Sequence, residues 1–312
     1  MEKNTEEMEK IAVNGVCTMT WRGIKDKAAA AVMTTIAIAV LGLAVAIAFG
    51  LWYKSSPLLA EHNLLDLLTA SDWKPGRGSF GFMPFVAGTF YVTGVAVALA
   101  LPTSILIAIY LTEYSRAAVR KVVYPLLDIL ASLPSVIFGV WGTLVVVPIV
   151  GDIVGPAVGT FTSGYTLLSG AIVLSVMILP LLVSLMVEIF GNVSDSLRES
   201  SMALGATKWQ TVKHVVLKAS LPGIVASTVL AVSRALGETI AVLMVCGNVA
   251  KVPGSLLDAC YPLPALIANN YGEMMSVPLY EAALMFAAFL LFIIVLVFNV
   301  GARIYLKSIK KY

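Results

Sequence analysis

Charge is what this chain has least of. Lys, Arg, Asp and Glu together make up 12% of its 312 residues, against roughly 25% in ordinary globular proteins. There are two histidines, His62 and His214, and three cysteines, Cys17, Cys246 and Cys260. No H-E-x-x-H pair can be written from these residues, and the cysteines do not have the spacing of a metal cluster. No Gly-Lys dipeptide occurs, so the chain carries no phosphate-binding loop for a nucleotide. No basic stripe is interleaved with aromatics, so the net charge of +3 does not point to nucleic acid. These absences leave no plausible catalytic cluster.

What the chain has instead is length of apolar sequence. Apolar residues reach 59%, and six segments approach or exceed the ~20 residues a helix needs to cross a bilayer. They fall near 28–53, 85–111, 122–150, 168–190, 221–246 and 279–302. Continuous runs of this kind satisfy their backbone only as helices and exclude a barrel. The expected fold is therefore an all-α membrane protein of six spans. A polar segment at 1–27 precedes one spanning domain at 28–305, and a short tail follows at 306–312. Sixteen Lys and Arg fall in the leader, the loop near 112–121, the loop at 191–220 and the chain after 302, and four in the opposite loops. The positive-inside rule then predicts both termini in the cytoplasm. The first span follows Lys25 and Lys27, and Ala46-Ile47-Ala48 resembles a cleavage site. The run is far longer than a signal core, and an uncleaved anchor is expected.

The most structured polar stretch lies between two apolar runs, ESSMALGATKWQTVKHVVLKASLP at 199–222. Ser196 and Glu199 read as a capping box opening one short helix, Gly205 as its left-handed stop, and Thr207 with Gln210 as a second box opening another short helix. Two capped helices joined at a glycine outside the membrane make an elbow that offers a surface to a docking partner.

Arg234 and Glu238 are the sharpest chemical feature. Four residues apart in an apolar run, they are expected on one face of one helix. Charges within a membrane are costly and usually face a cavity or a partner group. The planar fork of Arg234 suits a phosphate-like oxyanion, with Glu238 orienting and partly neutralising it. An ion pair that merely fixes a helix is the alternative. Asp128, Glu188 and Glu281 lie near interfaces and are expected to be structural. Gly42, Ala46 and Gly50 form a small-residue face, for a partner or for packing within the chain. The run 132–139 around Pro134 is either an interrupted helix or a kink. Cys246 and Cys260 are near enough in sequence to meet outside the membrane.

The elbow resembles the loop of ABC importer permeases, EAA, three residues, Gly, nine residues, I-x-L-P. Glu199-Ser200-Ser201, Gly205 and Val215-Val216-Leu217 fill that pattern, with serines for both alanines and Lys218 for the proline. IAIYLTEY (107–114), LPSVIFGVWG (133–142), ALGATKWQTVKHVVL (203–217) and SRALGETIAVLMVCGN (233–248) resemble the permease subunits of phosphate-specific importers, the last motif the C-type subunit. That resemblance implies a permease for inorganic phosphate in the cytoplasmic membrane, with no catalytic residue and no metal of its own. It implies a second, A-type permease, a dimer of cytoplasmic ATPases that uses ATP and Mg, and an extracytoplasmic phosphate-binding protein. It places Glu199, Leu204, Gly205, Ala206 and Thr207 at the ATPase contact, and Arg234 and Glu238 in the substrate pathway. A permease for sulfate or molybdate, and a gradient-driven transporter or channel, are the competing readings.

Overall fold

A computed structural model of the chain describes residues 2–272 and 278–309, with side-chain surroundings for 23, 25–272 and 278–308. The side chain of Cys17, most others of the expected leader and the end of the expected tail lie outside what is described. The chain divides into one compact unit over 1–53 and a second over 54–312. Most of the first unit is one helix, α1 (Glu2–Glu61), which continues into the second. From 25 to 47 every residue of α1 is exposed, large apolar ones such as Met33, Ile38 and Leu41 included. A helix apolar all round and exposed along this length is the pattern of a segment made for lipid or for another chain.

In the second unit α2 (Leu64–Thr69) precedes a short antiparallel hairpin, β1 (Trp73–Lys74) with β2 (Ser79–Phe80), that the all-helical expectation did not contain. The remaining helices are α3 (Met83–Tyr114), α4 (Ala117–Ser132), α5 (Ser135–Ala157), α6 (Leu167–Gly191), α7 (Asp195–Ala203), α8 (Lys208–Leu236), α9 (Ile240–Val245), α10 (Leu263–Asn270) and α11 (Pro278–Ile309). Together with the apolar part of α1, the helices α3, α5, α6, α8 and α11 are long and apolar enough to cross a membrane, six in all among the described residues.

Helix α6 is the axle of this unit. It packs along α3 for most of its length and also meets α8, α4 and α9. Ile178, Leu182, Met186 and Phe190 on it are fully buried. Its first backbone donors are not left bare: Leu167 N–H donates to Asp258 O and Leu168 N–H to Leu256 O, both at 2.9 Å. A second core is aromatic and joins the two long loops. Trp73 meets the rings of Phe80, Phe82, Phe85 and Tyr280 edge-on or tilted at 5.0–6.0 Å. Leu263, Leu266 and Ala283 close the cluster. The segment between α1 and α3 thus packs with α10 and the first turns of α11 into one cap.

Two expected spans are cut differently. The third was expected as continuous over 122–150; α4 ends at Ser132, Leu133 and Pro134 are extended, and α5 carries the spanning length. Proline pushes the residue before it out of the helical region, which resolves the alternatives at 132–139 in favour of an interruption. Pro102 and Pro180, by contrast, sit inside unbroken helices. The fifth span was expected over 221–246; α8 begins earlier at Lys208 and stops at Leu236, and a break over 237–239 separates it from α9.

Candidate functional site

The elbow is helix α7, the turn at 204–207 and the first turn of α8. The end of α7 is a Schellman motif: Gly205 N–H donates to Met202 O at 2.9 Å and Ala206 N–H to Ser201 O at 3.3 Å. Gly205 has φ +86°, where a Cβ is strained, and nothing else lies within 4 Å of the place a Cβ would take. The second capping box is as expected. Gln210 N–H donates to Thr207 Oγ1 at 3.3 Å and Thr207 N–H to Gln210 Oε1 at 2.8 Å. The first box is not formed. Ser194 is the N-cap of α7 and makes no side-chain cap, and Ser196 lies inside the helix with its Oγ 3.3 Å from that of Ser194. Nor is the second helix short. It runs through a wide i→i+5 turn at Val212–Val216 directly into the span, past Lys218 and Pro222 alike.

The elbow's two faces differ. Ser201 turns inward, its Oγ 3.0 Å from Thr211 Oγ1, so a serine in place of alanine here finds a partner rather than an unsatisfied burial. Outward, Leu204 is 90% exposed. Leu197, Met202 and Trp209 are also exposed, as are Glu199, Gly205 and Thr207, while Ala206 is half-buried. Four large apolar side chains exposed on a short polar elbow are of the kind that marks a contact with another protein.

Arg198 holds the elbow in place. Its Nη1 donates to Val193 O at 2.6 Å and Asp195 Oδ1 at 2.9 Å, its Nη2 to Phe190 O at 2.7 Å, and its Nε to Glu113 Oε1 at 3.1 Å. Arg198 and Glu113 retain only 16% and 10% side-chain exposure. Lys208 donates to Glu113 O and lies 4.9 Å over the Tyr114 ring. Sequence reasoning counted Arg198 and Lys208 only toward topology and passed over Glu113. The pair is 85 residues apart in sequence, and no local pattern announces it.

Arg234 and Glu238 are not on one helix. Arg234 occupies the last turn of α8, where a cation complements the negative helix end. The chain leaves the helix at Gly237, and Glu238 Oε1 accepts from Ala241 N–H at 3.4 Å at the start of α9. Among the described residues no ion pair joins the two, and Arg234 is exposed with no hydrogen-bond acceptor. Glu238 lines a narrow crevice with Thr89, Thr93, Leu174, Pro262 and Pro264. Beside Arg234, Ser233 Oγ donates to Asn299 Oδ1 at 3.0 Å, fixing α8 to α11.

The other acids and the cysteines fall as follows. Asp128 and Glu188 are exposed on α4 and α6 and line one groove with Tyr124 and Ser184. Glu281 pairs with Lys54 at 2.8 Å. Cys246 and Cys260 do meet, with Cys260 N–H donating to Cys246 O at 2.9 Å, and both are buried free thiols. Among the described residues no group of His, Cys, Asp and Glu is placed to hold a metal ion.

The sequence model of the family described as binding-protein-dependent transport system inner membrane component matches residues 100–311. The chain is 37% identical over 246 residues to the probable ABC transporter permease protein YqgH of Bacillus subtilis, covering 78% of each. It is 34% identical over 256 residues to the phosphate transport system permease protein PstC of Xylella fastidiosa, covering 78% of each. It is 32% identical over 294 residues to the probable phosphate transport system permease protein PstC of Methanocaldococcus jannaschii, covering 88% of this chain and 92% of that one. Its fold is similar to a chain of the inward-facing MetNI methionine ABC transporter, with TM-score 0.51 and 21% identity over 73% of this chain and 94% of that one. It is likewise similar to a chain of a bacterial ABC transporter that imports alginate, with TM-score 0.53 and 17% identity over 71% and 79%.

Proposed function

The chain belongs to the family of binding-protein-dependent transport system inner membrane components, and from that premise we propose that it is the C-type permease subunit of an importer for inorganic phosphate. It is a multi-pass inner membrane protein, a permease subunit that works with an ATPase and a substrate-binding protein. Phosphate as the substrate is supported by the relatives named phosphate transport permeases, which the chain matches over most of its length. In the assembly we propose, a homologous A-type permease stands beside it. Two ATPases use ATP and Mg below, and a phosphate-binding protein delivers substrate from outside. This chain holds neither nucleotide nor metal.

The spanning domain at 28–305 then has both termini and the coupling loop at 191–220 in the cytoplasm. The first elbow helix sits against an ATPase through Glu199, Leu204, Gly205, Ala206 and Thr207. The exposed apolar patch around Leu204 supports that contact. ATP binding closes the ATPases and moves the elbows. The helices then open the pathway to the other side, which needs only contacts that differ between two states.

Arg234 is the substrate's cation. The observation that carries this reading is its guanidinium, exposed at the end of a spanning helix with no acceptor among the described residues. An unpaired fork of donors is free to take two oxygens of phosphate, a bidentate geometry that lysine cannot reproduce. Glu238 borders the pathway from across the break and keeps the local field from trapping the anion. The test is uptake by cells carrying Arg234→Ala or Arg234→Lys. Alanine is expected to abolish uptake, and lysine to leave it strongly reduced, with the complex still assembled. Wild-type uptake in the alanine variant removes Arg234 from the pathway.

A further inference from the structure

We propose that Glu113 and Arg198 are the positioning pair through which the elbow moves the spanning helices, with Lys208 as a second grip on the same residues. The inference deepens the coupling role proposed for the elbow and rests on it.

A helix docked on a motor subunit transmits motion only if something rigid ties it to the membrane-spanning part. Helix α7 is short and mostly exposed, with no buried residue, so its own packing gives little grip. The grip is polar. One guanidinium is saturated by three elements at once: the carbonyls of Phe190 and Val193 at the end of α6, Asp195 in the first turn of α7, and Glu113 at the end of α3. Phe190 O also accepts the Val193 N–H at 3.3 Å, so Arg198 adds a charged donor to the chain where it leaves α6. From the other side of Gly205, Lys208 reaches the same strap, Glu113 O and the Tyr114 ring. Both arms of the elbow therefore hold Glu113–Tyr114.

That strap is the end of α3, the helix packed most extensively along α6. It lies within a wide i→i+5 turn at Tyr110–Tyr114, and α8 passes through another at Val212–Val216. Such turns are uncommon and recur at functional positions in helices. A tight polar clamp seated on one wide turn, with a second wide turn following Lys208, has the layout of a handle. The elbow is fixed to α3, and α3 and α8 give way beside the fixing point. Arg198→Lys keeps the charge but loses the planar fork that holds four partners on three elements together.

The experiment uses the whole complex in proteoliposomes, with wild type, Arg198→Lys and Glu113→Gln. Three quantities are read: ATPase recovered with the permeases, basal hydrolysis, and the rise in hydrolysis and uptake per ATP when loaded binding protein is added. Both variants are expected to keep the ATPase bound and to hydrolyse at the basal rate. The binding-protein response and uptake per ATP should fall about tenfold, within the usual range of coupling between sites. Unchanged coupling in both variants overturns the proposal, and so does loss of ATPase binding in both, which makes the clamp only structural. If Arg198→Lys fails to assemble, Glu113→Gln decides, because it leaves the Arg198 contacts to Phe190 and Val193 in place. A wild-type complex with no binding-protein response refutes the permease reading itself, and this inference with it.

Discussion

Replacing Gly205 by valine isolates the elbow's geometry from its chemistry. At φ +86° an L-residue pays about 1–2 kcal/mol, and a β-branched one sits at the upper end. A Cβ at this position meets nothing within 4 Å, so the cost is conformational alone and there is no clash to add. What it weakens is the pair of bonds that end α7, Gly205 N–H to Met202 O and Ala206 N–H to Ser201 O. A loss of one to two kcal/mol shifts the population of the native elbow by a factor of roughly 5–30. Membrane insertion and the buried cores lie elsewhere and should be unaffected. The expected result is a permease made in normal amounts that recovers less ATPase and moves less substrate per ATP. Gly205→Asn should lie close to wild type, since asparagine tolerates the left-handed region. The assay is ATPase recovery on the purified permease together with uptake per ATP hydrolysed. Equal values for glycine, asparagine and valine would refute the argument that the left-handed turn sets the docking surface.

Three further outcomes are expected. Leu204→Asp should reduce ATPase recovery by about an order of magnitude, the scale of a buried interface anchor, without lowering this chain's own thermal stability. Gly170→Ala places a Cβ 2.2 Å from Cys246 Sγ and should cost about 1–3 kcal/mol in detergent unfolding. Adding Cys246→Ala should restore most of it, because the next contact of that Cβ with Cys246 is at 3.9 Å. Thr89→Val removes the acceptor for the buried Leu263 N–H, now bonded at 2.9 Å, and should cost about 1–3 kcal/mol by the same measurement.

The number of spans was legible because it depends only on how much apolar residue the chain strings together. Where those spans break was not. The run around Pro134 and the run through Gly237 are apolar on both sides, so hydropathy passes over the interruption. The expectation that Arg234 and Glu238 share a face failed for that reason: helical spacing was applied across a residue that ends the helix. The elbow was readable where a residue's conformational preference decides the outcome, at Gly205 and at the Thr207–Gln210 box. It was misread at Ser196, where two serines compete for the cap and Ser194 wins the position without forming the bond. The clamp from Arg198 to Glu113 could not be read at all. It joins the end of one span to the start of a loop far along the chain, and a charge count treats both residues as solvated ends. Serines at 200 and 201 in place of alanines left the elbow's turn intact, since Thr211 supplies Ser201 with its partner.

The most direct test of the central claim is uptake of labelled phosphate by cells without phosphate importers of their own, expressing this chain with its partner permease, ATPase and binding protein. Sulfate and molybdate are added in excess as competitors. The account predicts uptake that needs ATP, ignores both competitors and disappears when this chain is omitted. An assembled complex that takes up no phosphate, or whose uptake the competitors abolish, contradicts it.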